Sequence, residues 1–222
     1  GEVIPTHEED AVSPTAFRDY TLTEDPSEAD AAIVFVDSPK TQMTWDMISE
    51  PSPEQKFTPI TLQYRPYTAV NARAESLAGD DPNGMGPNRS YRGKTAVAAN
   101  EGDLDLILDT RKAMGDKPVI VVMNCENPCV VSEFEPAADA ILVHFNVFPN
   151  AVLEIIFGNR EPSALLPLQF PANMDTVEMQ SEDVPFDMEC HRDTEGHVYD
   201  YAYGLNWSGV ILDERTKKYG RP

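Results

Sequence analysis

The spacing Cys125-x3-Cys129 is the pattern in this sequence that comes nearest to a metal-binding motif. Zinc prefers thiolate and imidazole ligands in tetrahedral geometry, so a site would need further ligands of these types. The remaining candidates are Cys190 and the scattered histidines His7, His144, His191 and His197, which show no matching pair spacing. A small, odd number of cysteines also gives no disulfide framework. We therefore predict no metal, no cofactor and three reduced, partly buried thiols.

A second group of polar residues follows a predicted strand. Residues 31–36 are nearly all apolar and β-branched, which is typical of a strand in a parallel sheet that is buried on both faces. Asp37, Ser38 and Pro39 come directly after it, and open α/β sheets bind ligands at the carboxyl ends of their strands. No glycine-rich phosphate loop follows this strand, and Asp37 would repel a phosphate, so a flavodoxin-like nucleotide binder is disfavoured.

Regular elements frame these residues. Residues 101–114 have the pattern of a helix that Asn100 or Asp103 can cap, with acids in its first turn. Its predicted packing face consists of Leu104, Ile107, Leu108 and Arg111. Residues 117–123 and 140–145 read as strands, and residues 150–157 as a short helix after Pro149 that stops at Gly158. This order predicts an α/β fold, a layered α/β sandwich with a mostly parallel central sheet.

Shorter elements are less regular in sequence. Gly204 marks a bend or a close backbone approach inside its segment. The candidates are a strand at 60–64, short helices at 70–77 and 128–134, an irregular acidic stretch at 174–188, and a late strand at 198–207.

The domain organisation follows from these patterns. Residues 1–25 read as an acidic linker or domain edge, residues 26–210 as the sandwich domain, and residues 211–222 as a polar tail. The sandwich contains a long irregular insertion at about 40–99, which is either a surface insertion or a loop that covers a pocket. In the second case its aromatic residues would line the pocket together with its arginines, Arg65, Arg73, Arg89 and Arg92.

The 222-residue chain has a formal net charge of −21, which disfavours nucleic acid and anionic membranes as partners. No apolar run approaches the roughly 20 residues of a membrane span, and the N-terminal sequence lacks the pattern of a signal peptide. These observations predict a cytoplasmic protein.

Five ordered segments carry a resemblance to a known family. They are residues 117–124, 138–142, 156–163, 166–171 and 203–207, and their order and spacing resemble the C-terminal domain of family 3 glycoside hydrolases. The chain departs from the family pattern at residues 146–150, where a Gly- and Gln/Glu-rich stretch is usual, and at Ala164, where a glycine is usual.

The resemblance implies a retaining β-glycosidase of the β-glucosidase type. In that family a TIM-like N-terminal barrel supplies an aspartate nucleophile, and the α/β sandwich often supplies a glutamate as acid/base. The implied partners are therefore the barrel domain of the same protein and a β-linked glucoside or oligosaccharide substrate. No part of this chain resembles the barrel.

The family's acid/base glutamate precedes the helix that here begins near Gly102, and Glu101 is the nearest match. Its position at a helix N-terminus also explains this residue without catalysis. Glu50 and Glu54 are weaker candidates. Arg89 and Tyr91 are candidates for contacts to sugar hydroxyls, although an arginine in an acidic domain is more often a surface ion-pair partner.

Two functions remain open at this point. In the first, the chain completes the active site of the barrel and supplies the acid/base, and it is inactive alone. In the second, it is a non-catalytic carbohydrate-binding or assembly module with the same fold.

Overall fold

The computed structural model describes residues 20–41, 61–72, 92–93, 95–181 and 184–221. Its strands and α-helices, in chain order, are β1 (Ala32–Asp37), β2 (Tyr67–Thr68), β3 (Thr95–Ala96), α1 (Gly102–Met114), β4 (Val119–Asn124), β5 (Ala140–His144), α2 (Pro149–Ile156), α3 (Met174–Met179), β6 (Leu205–Asn206), β7 (Gly209–Val210) and α4 (Glu214–Tyr219).

The main sheet has the strand order β1-β4-β5, and both pairings are parallel. β4 is the middle strand, and its adjacent residues Val121 and Val122, which point to opposite faces, are both fully buried. The predicted two-sided burial is therefore confirmed for β4. It is wrong for β1 at Phe35, which is 45% exposed, because β1 lies at the edge of the described sheet.

One apolar core joins α1 to this sheet. Leu104 and Ile107 of α1 pack in the same buried cluster as Val34 and Val36 of β1. The predicted contact face of the helix was wrong at Leu108, which is 37% exposed. Met114 is buried at the C-terminal end instead, so the buried face of the helix turns away from Leu108. The predicted α/β sandwich with parallel strands is confirmed by this arrangement.

Helix α2 begins and ends as its sequence predicts. Pro149 occupies its first turn, and Gly158 follows it with φ 75°, a conformation that glycine adopts without strain. The helix predicted at 128–134 is instead a pair of short 3₁₀ turns, Val131–Glu133 and Glu135–Ala137. The second turn includes Pro136, which lacks the amide hydrogen that a longer helix would use.

The strand predicted at 198–207 was largely wrong, because only Leu205 and Asn206 form a strand there. Tyr203 and Ala202 instead exchange backbone hydrogen bonds with Leu166, at 2.7 and 2.9 Å. Ala202 has φ 65°, which turns the chain out of the extended conformation.

Two helices, strand β7 with its pairing to β6, and the pairing of β2 with β3 were not predicted. α3 lies in the stretch expected to be irregular, where the Asn173 side chain accepts a hydrogen bond from the Thr176 amide. α4 lies in the expected polar tail and starts with a capping box between Asp213 and Thr216. β2 pairs with β3 inside the expected irregular insertion, whereas the described residues 61–64 of the candidate strand are not in a strand.

The three cysteines are free and buried, as predicted. Burial raises the pKa of Cys125 and Cys190 to about 11 each, which keeps these thiols protonated near neutral pH. In the part of the chain that the structure describes, no helix is both long and apolar enough to cross a bilayer.

Gly204 provides a test of the packing between segments 164–166 and 202–204. A Cβ at this position would lie 2.4 Å from the Ala164 carbonyl oxygen. We expect Gly204→Ala to lower the free energy of unfolding by about 1–3 kcal/mol, because a backbone atom must move. Denaturant titration measures the change. Gly102→Ala is the control, since its Cβ would meet nothing within 4 Å. Equal stability of both variants would contradict the close approach.

Candidate functional site

Polar residues end all three strands of the main sheet in one row. The register pairs Asp37 of β1 with Asn124 of β4, and Asn124 with His144 of β5. The Asn124 amide nitrogen donates to Asp37 Oδ1 at 2.9 Å. The sequence predicted ligand groups after β1 only. The ends of β4 and β5 carried the same signal, since each predicted strand runs directly into polar residues.

Lys40 completes the charge balance at this edge. Its Nζ lies 2.9 Å from Asp37 Oδ2 and 3.7 Å from a Glu126 carboxylate oxygen. The hydrogen bonds from Lys40 and Asn124 hold the pKa of Asp37 below its ordinary value. Burial lowers the pKa of His144, so this imidazole is neutral at neutral pH.

Asn100 ties the start of α1 to the end of β1. Its amide nitrogen donates to the carbonyl oxygens of Asp37 and Ser38 at 3.1 and 3.2 Å, and to Asp103 Oδ2 at 2.8 Å. Its amide oxygen accepts from the Lys40 amide at 2.8 Å. The helix N-cap residue is Glu101, which makes no side-chain cap hydrogen bond. The predicted capping by Asn100 or Asp103 was therefore wrong, and both side chains serve the junction with β1 instead.

A buried tyrosine and a half-buried glutamate hold the adjacent segment. Tyr64 is fully buried, and its hydroxyl donates to the Asp37 carbonyl at 2.6 Å. The Glu133 carboxylate accepts from the backbone amides of Tyr64 and Arg65 at 2.6 and 2.9 Å. Burial raises the pKa of Glu133, although the two amide hydrogen bonds oppose the shift. The position of Arg65 is thus fixed by Glu133.

Glu101 lies at this same edge and is paired with Arg65. Arg65 Nη1 donates to Glu101 Oε1 at 2.8 Å, and Nη2 donates to Asp105 Oδ1 at 2.5 Å. The two carboxylates raise the pKa of Arg65 further. The Glu101 side chain is 34% exposed, so a group arriving from outside can reach it.

Among the other predicted site residues, Arg92 is the one that the structure describes. Arg89, Tyr91, Glu50, Glu54 and Arg73 lie outside the described residues. Arg92 donates from Nε to the Ala72 carbonyl at 2.9 Å. Of the candidates at this edge, Glu101 and Arg65 are therefore the two that the structure places, and they bind each other.

Lys40, Asn100 and Asn124 were missed by sequence reasoning. With Asp37, Glu101 and His144 they place hydrogen-bond donors and acceptors at the carboxyl ends of the three strands, and we call these six residues the carboxyl edge. Among the described residues no group of three or more His, Cys, Asp or Glu could hold a metal ion. His191 is buried elsewhere in the fold, where its Nε2 lies 3.8 Å from a Glu135 carboxylate oxygen.

Comparison with known families gives one match that covers most of the chain. Residues 18–207 match the model of the Glycosyl hydrolase family 3 C-terminal domain. The matched range contains β1, α1, β4 and β5, and hence the whole carboxyl edge. No solved structure matches the chain significantly.

Curated proteins similar to this chain are named as β-glucosidases. Beta-glucosidase C of Emericella nidulans is 31% identical over 159 residues, which are 68% of this chain and 24% of that protein. Probable beta-glucosidase C of Aspergillus flavus is 32% identical over 49% of this chain and 17% of its own length. Periplasmic beta-glucosidase of Salmonella typhimurium is 26% identical over 60% of this chain and 19% of its own. The chain spans about a quarter or less of these relatives.

Tyr64→Phe tests the buried hydrogen bond behind the edge. Removing the hydroxyl leaves the Asp37 carbonyl without its 2.6 Å donor, so we expect a loss of about 1–2 kcal/mol in the free energy of unfolding. Chemical denaturation measures it. Tyr67→Phe is the matched control, because its hydroxyl bonds an exposed carboxylate, Asp175, at 3.1 Å, and should change stability by less than about 0.5 kcal/mol. Equal losses would show that Tyr64 does not organise this edge.

Proposed function

The chain belongs to the Glycosyl hydrolase family 3 C-terminal domain family, and from this premise we propose that it is the C-terminal domain of a retaining β-glycosidase. In this proposal the carboxyl edge of the sheet faces an N-terminal barrel domain of the same protein and completes its active site. Family membership over residues 18–207 is the observation that carries the proposal. The names of the similar curated proteins support β-glucosides as the substrate class.

Retaining hydrolysis requires two carboxyl groups about 5–5.5 Å apart, one as nucleophile and one as acid/base. The barrel would supply the nucleophile. This chain would supply the second group from its carboxyl edge, where Glu101 is partly exposed and stands at the start of α1. Its side chain is therefore accessible to a domain that closes over the edge.

If Glu101 is the acid/base, its ion pair with Arg65 must be compatible with both protonation states of Glu101. A proton donor must be neutral in the first step and ionised in the second, and the guanidinium of Arg65 is a partner for the ionised form. Arg65 also binds Asp105, so it keeps an ion pair when Glu101 is protonated. Because Arg65 contacts the two carboxylates through different nitrogens, its bond to Asp105 would hold it in place while Glu101 alternates between the two states.

The ion pair also supports a second candidate, a non-catalytic carbohydrate-binding or assembly module. A glutamate that stays bound to Arg65 serves to fix the start of α1 and needs no catalytic role. The two functions differ in whether turnover depends on Glu101.

The first expected outcome concerns this chain by itself. Without the barrel nucleophile we expect no hydrolysis of aryl β-glucosides above background, because retaining catalysis needs both carboxyl groups. Release of nitrophenolate by the purified 222-residue chain measures this. The proposal would be overturned if this chain hydrolysed the substrate and its Glu101→Ala variant did so at the same rate.

The second expected outcome concerns Glu101 in the full-length protein with its barrel. We expect Glu101→Ala to slow hydrolysis by about a hundredfold or more for substrates with poor leaving groups, and far less for activated ones. Azide should restore part of the rate, because an anionic nucleophile needs no general base. Steady-state rates across a leaving-group series measure the effect.

Glu195→Gln is the matched control for that series, since its side chain is 80% exposed and lies outside the edge. It should retain the parent rates. A Glu101→Ala variant with an unchanged leaving-group dependence would remove Glu101 from the mechanism and favour the binding module.

A further inference from the structure

A cavity of about 580 Å³ lies away from the carboxyl edge. Its walls come from three loops and from helix α4, and none of its residues belongs to the edge described above. It is lined by Leu165, Leu166, Pro167, Pro185, Phe186, Tyr201, Ala202, Arg215 and Tyr219. This volume falls within the range of about 300–1,000 Å³ typical of small-molecule sites.

Hydrogen bonds fix the walls relative to each other. Leu166 is bonded through its backbone to both Ala202 and Tyr203, so two of the loops form one surface. Arg215 Nη1 donates to the Ser163 carbonyl at 2.8 Å, which ties α4 to the same loop. Two of the loops and α4 are therefore joined by hydrogen bonds, so binding there requires little ordering of these three segments.

Backbone strain is concentrated in this cavity. Phe186 and Ala202 have φ 64° and 65°, and both line it. Among the described residues Asn146 is the other non-glycine residue with positive φ, and asparagine tolerates this conformation better than phenylalanine or alanine. Such conformations cost about 1–3 kcal/mol each and persist at ligand sites when the surroundings impose them.

The lining combines aromatic surface with hydrogen-bond donors. The rings of Phe186 and Tyr201 meet edge to face with centroids 5.3 Å apart, and Tyr219 is 56% exposed at the rim. Arg215 uses Nε, Nη1 and Nη2 once each on Asp213 and Ser163. A guanidinium has five N–H donors, so donors remain for a ligand.

These features select the chemistry of the ligand. A purely apolar ligand would separate the remaining Arg215 donors and the two phenol groups from water without offering them a partner, which is unfavourable on burial. A pyranose ring offers C–H groups that pack on the negative face of an aromatic ring, and hydroxyl oxygens that accept from phenol and guanidinium groups. Among the described residues that line the cavity, none is Asp or Glu, so these residues supply donors to a neutral, hydroxyl-rich ligand.

We propose that this cavity is an accessory, non-catalytic subsite for a β-linked gluco-oligosaccharide. The choice of glucose units rests on the proposed function, whereas the choice of a neutral sugar rests on the lining. Because Arg215 and Tyr219 are both partly exposed at the rim, an oligosaccharide chain can extend out of the cavity. The matched family segment ends at residue 207, so α4, which lies beyond it, completes a subsite that the family model does not describe.

Calorimetric titration of the complete 222-residue chain with cellotetraose tests the subsite. We expect saturable binding that Tyr219→Ala weakens by roughly threefold to tenfold, the effect of losing one aromatic contact. Tyr201→Phe, which removes only a hydroxyl, should also weaken binding with the fold retained. Leu212→Ala is the control, since Leu212 is 83% exposed and does not line the cavity.

Several results would overturn the proposal. They are the absence of saturable binding at millimolar cellotetraose, equal affinity of Tyr219→Ala and wild type, and capture of a proline-rich peptide in place of the sugar. A second measurement, the hydrolysis of an aryl β-glucoside by the full-length protein, tests the proposed function independently of this subsite. Tyr219→Ala should leave the rate with this small substrate unchanged. If the wild-type protein binds cellotetraose but does not hydrolyse the aryl β-glucoside, only the proposed function is contradicted.

Discussion

Parallel strands that share a sheet must end at the same edge, because each connection between them returns the chain to the opposite edge before the next strand begins. Here β4 is paired on both sides, with β1 and β5, and its valines are buried on both faces. Moving β4 by one residue would turn Asn124 to the other face of the sheet and break its hydrogen bond to Asp37. The core therefore fixes where Asp37, Asn124 and His144 lie.

The polar edge can exist beside such a core because its buried groups satisfy one another. The Asn100 side chain bonds both the Asp37 carbonyl at the end of β1 and Asp103 of α1. The Tyr64 hydroxyl donates a further hydrogen bond to the Asp37 carbonyl. Water cannot replace these contacts where the tyrosine is fully buried. What remains open to solvent is a row of side chains whose charges are mostly paired, with Lys40 on Asp37 and Arg65 on Glu101.

The sequence predicted the elements whose apolar residues decide their structure. The strands β4 and β5, the helices α1 and α2 and the resulting fold class follow from long apolar runs or from a Pro149 and Gly158 pair. Prediction from the sequence failed where contacts between distant segments determine the local structure. Residues 198–204 alternate like a strand, but Ala202 and Tyr203 bond to Leu166 instead. Helix α4 was missed for another reason, because its signal is a local capping box in a polar segment and not an apolar pattern. For the site, Glu101 could be placed at a helix start, but its pairing with Arg65 spans 36 positions and has no local signal.

Charge distinguishes the partners that these two surfaces can accept. With a net charge of −21 the protein repels polyanions over the whole surface, so an acidic polysaccharide would approach either site against the field. A neutral glucan feels no such force, and its affinity depends on short-range packing and hydrogen bonds. Such contacts need rigid walls, which the edge obtains from the buried sheet and the cavity obtains from the link between Arg215 and Ser163. The two surfaces differ in chemistry, since carboxylates are present at the edge, whereas none is found among the described residues of the cavity lining. Acid/base catalysis of glycoside hydrolysis requires carboxyl groups, which is why we propose catalysis for the edge and binding for the cavity.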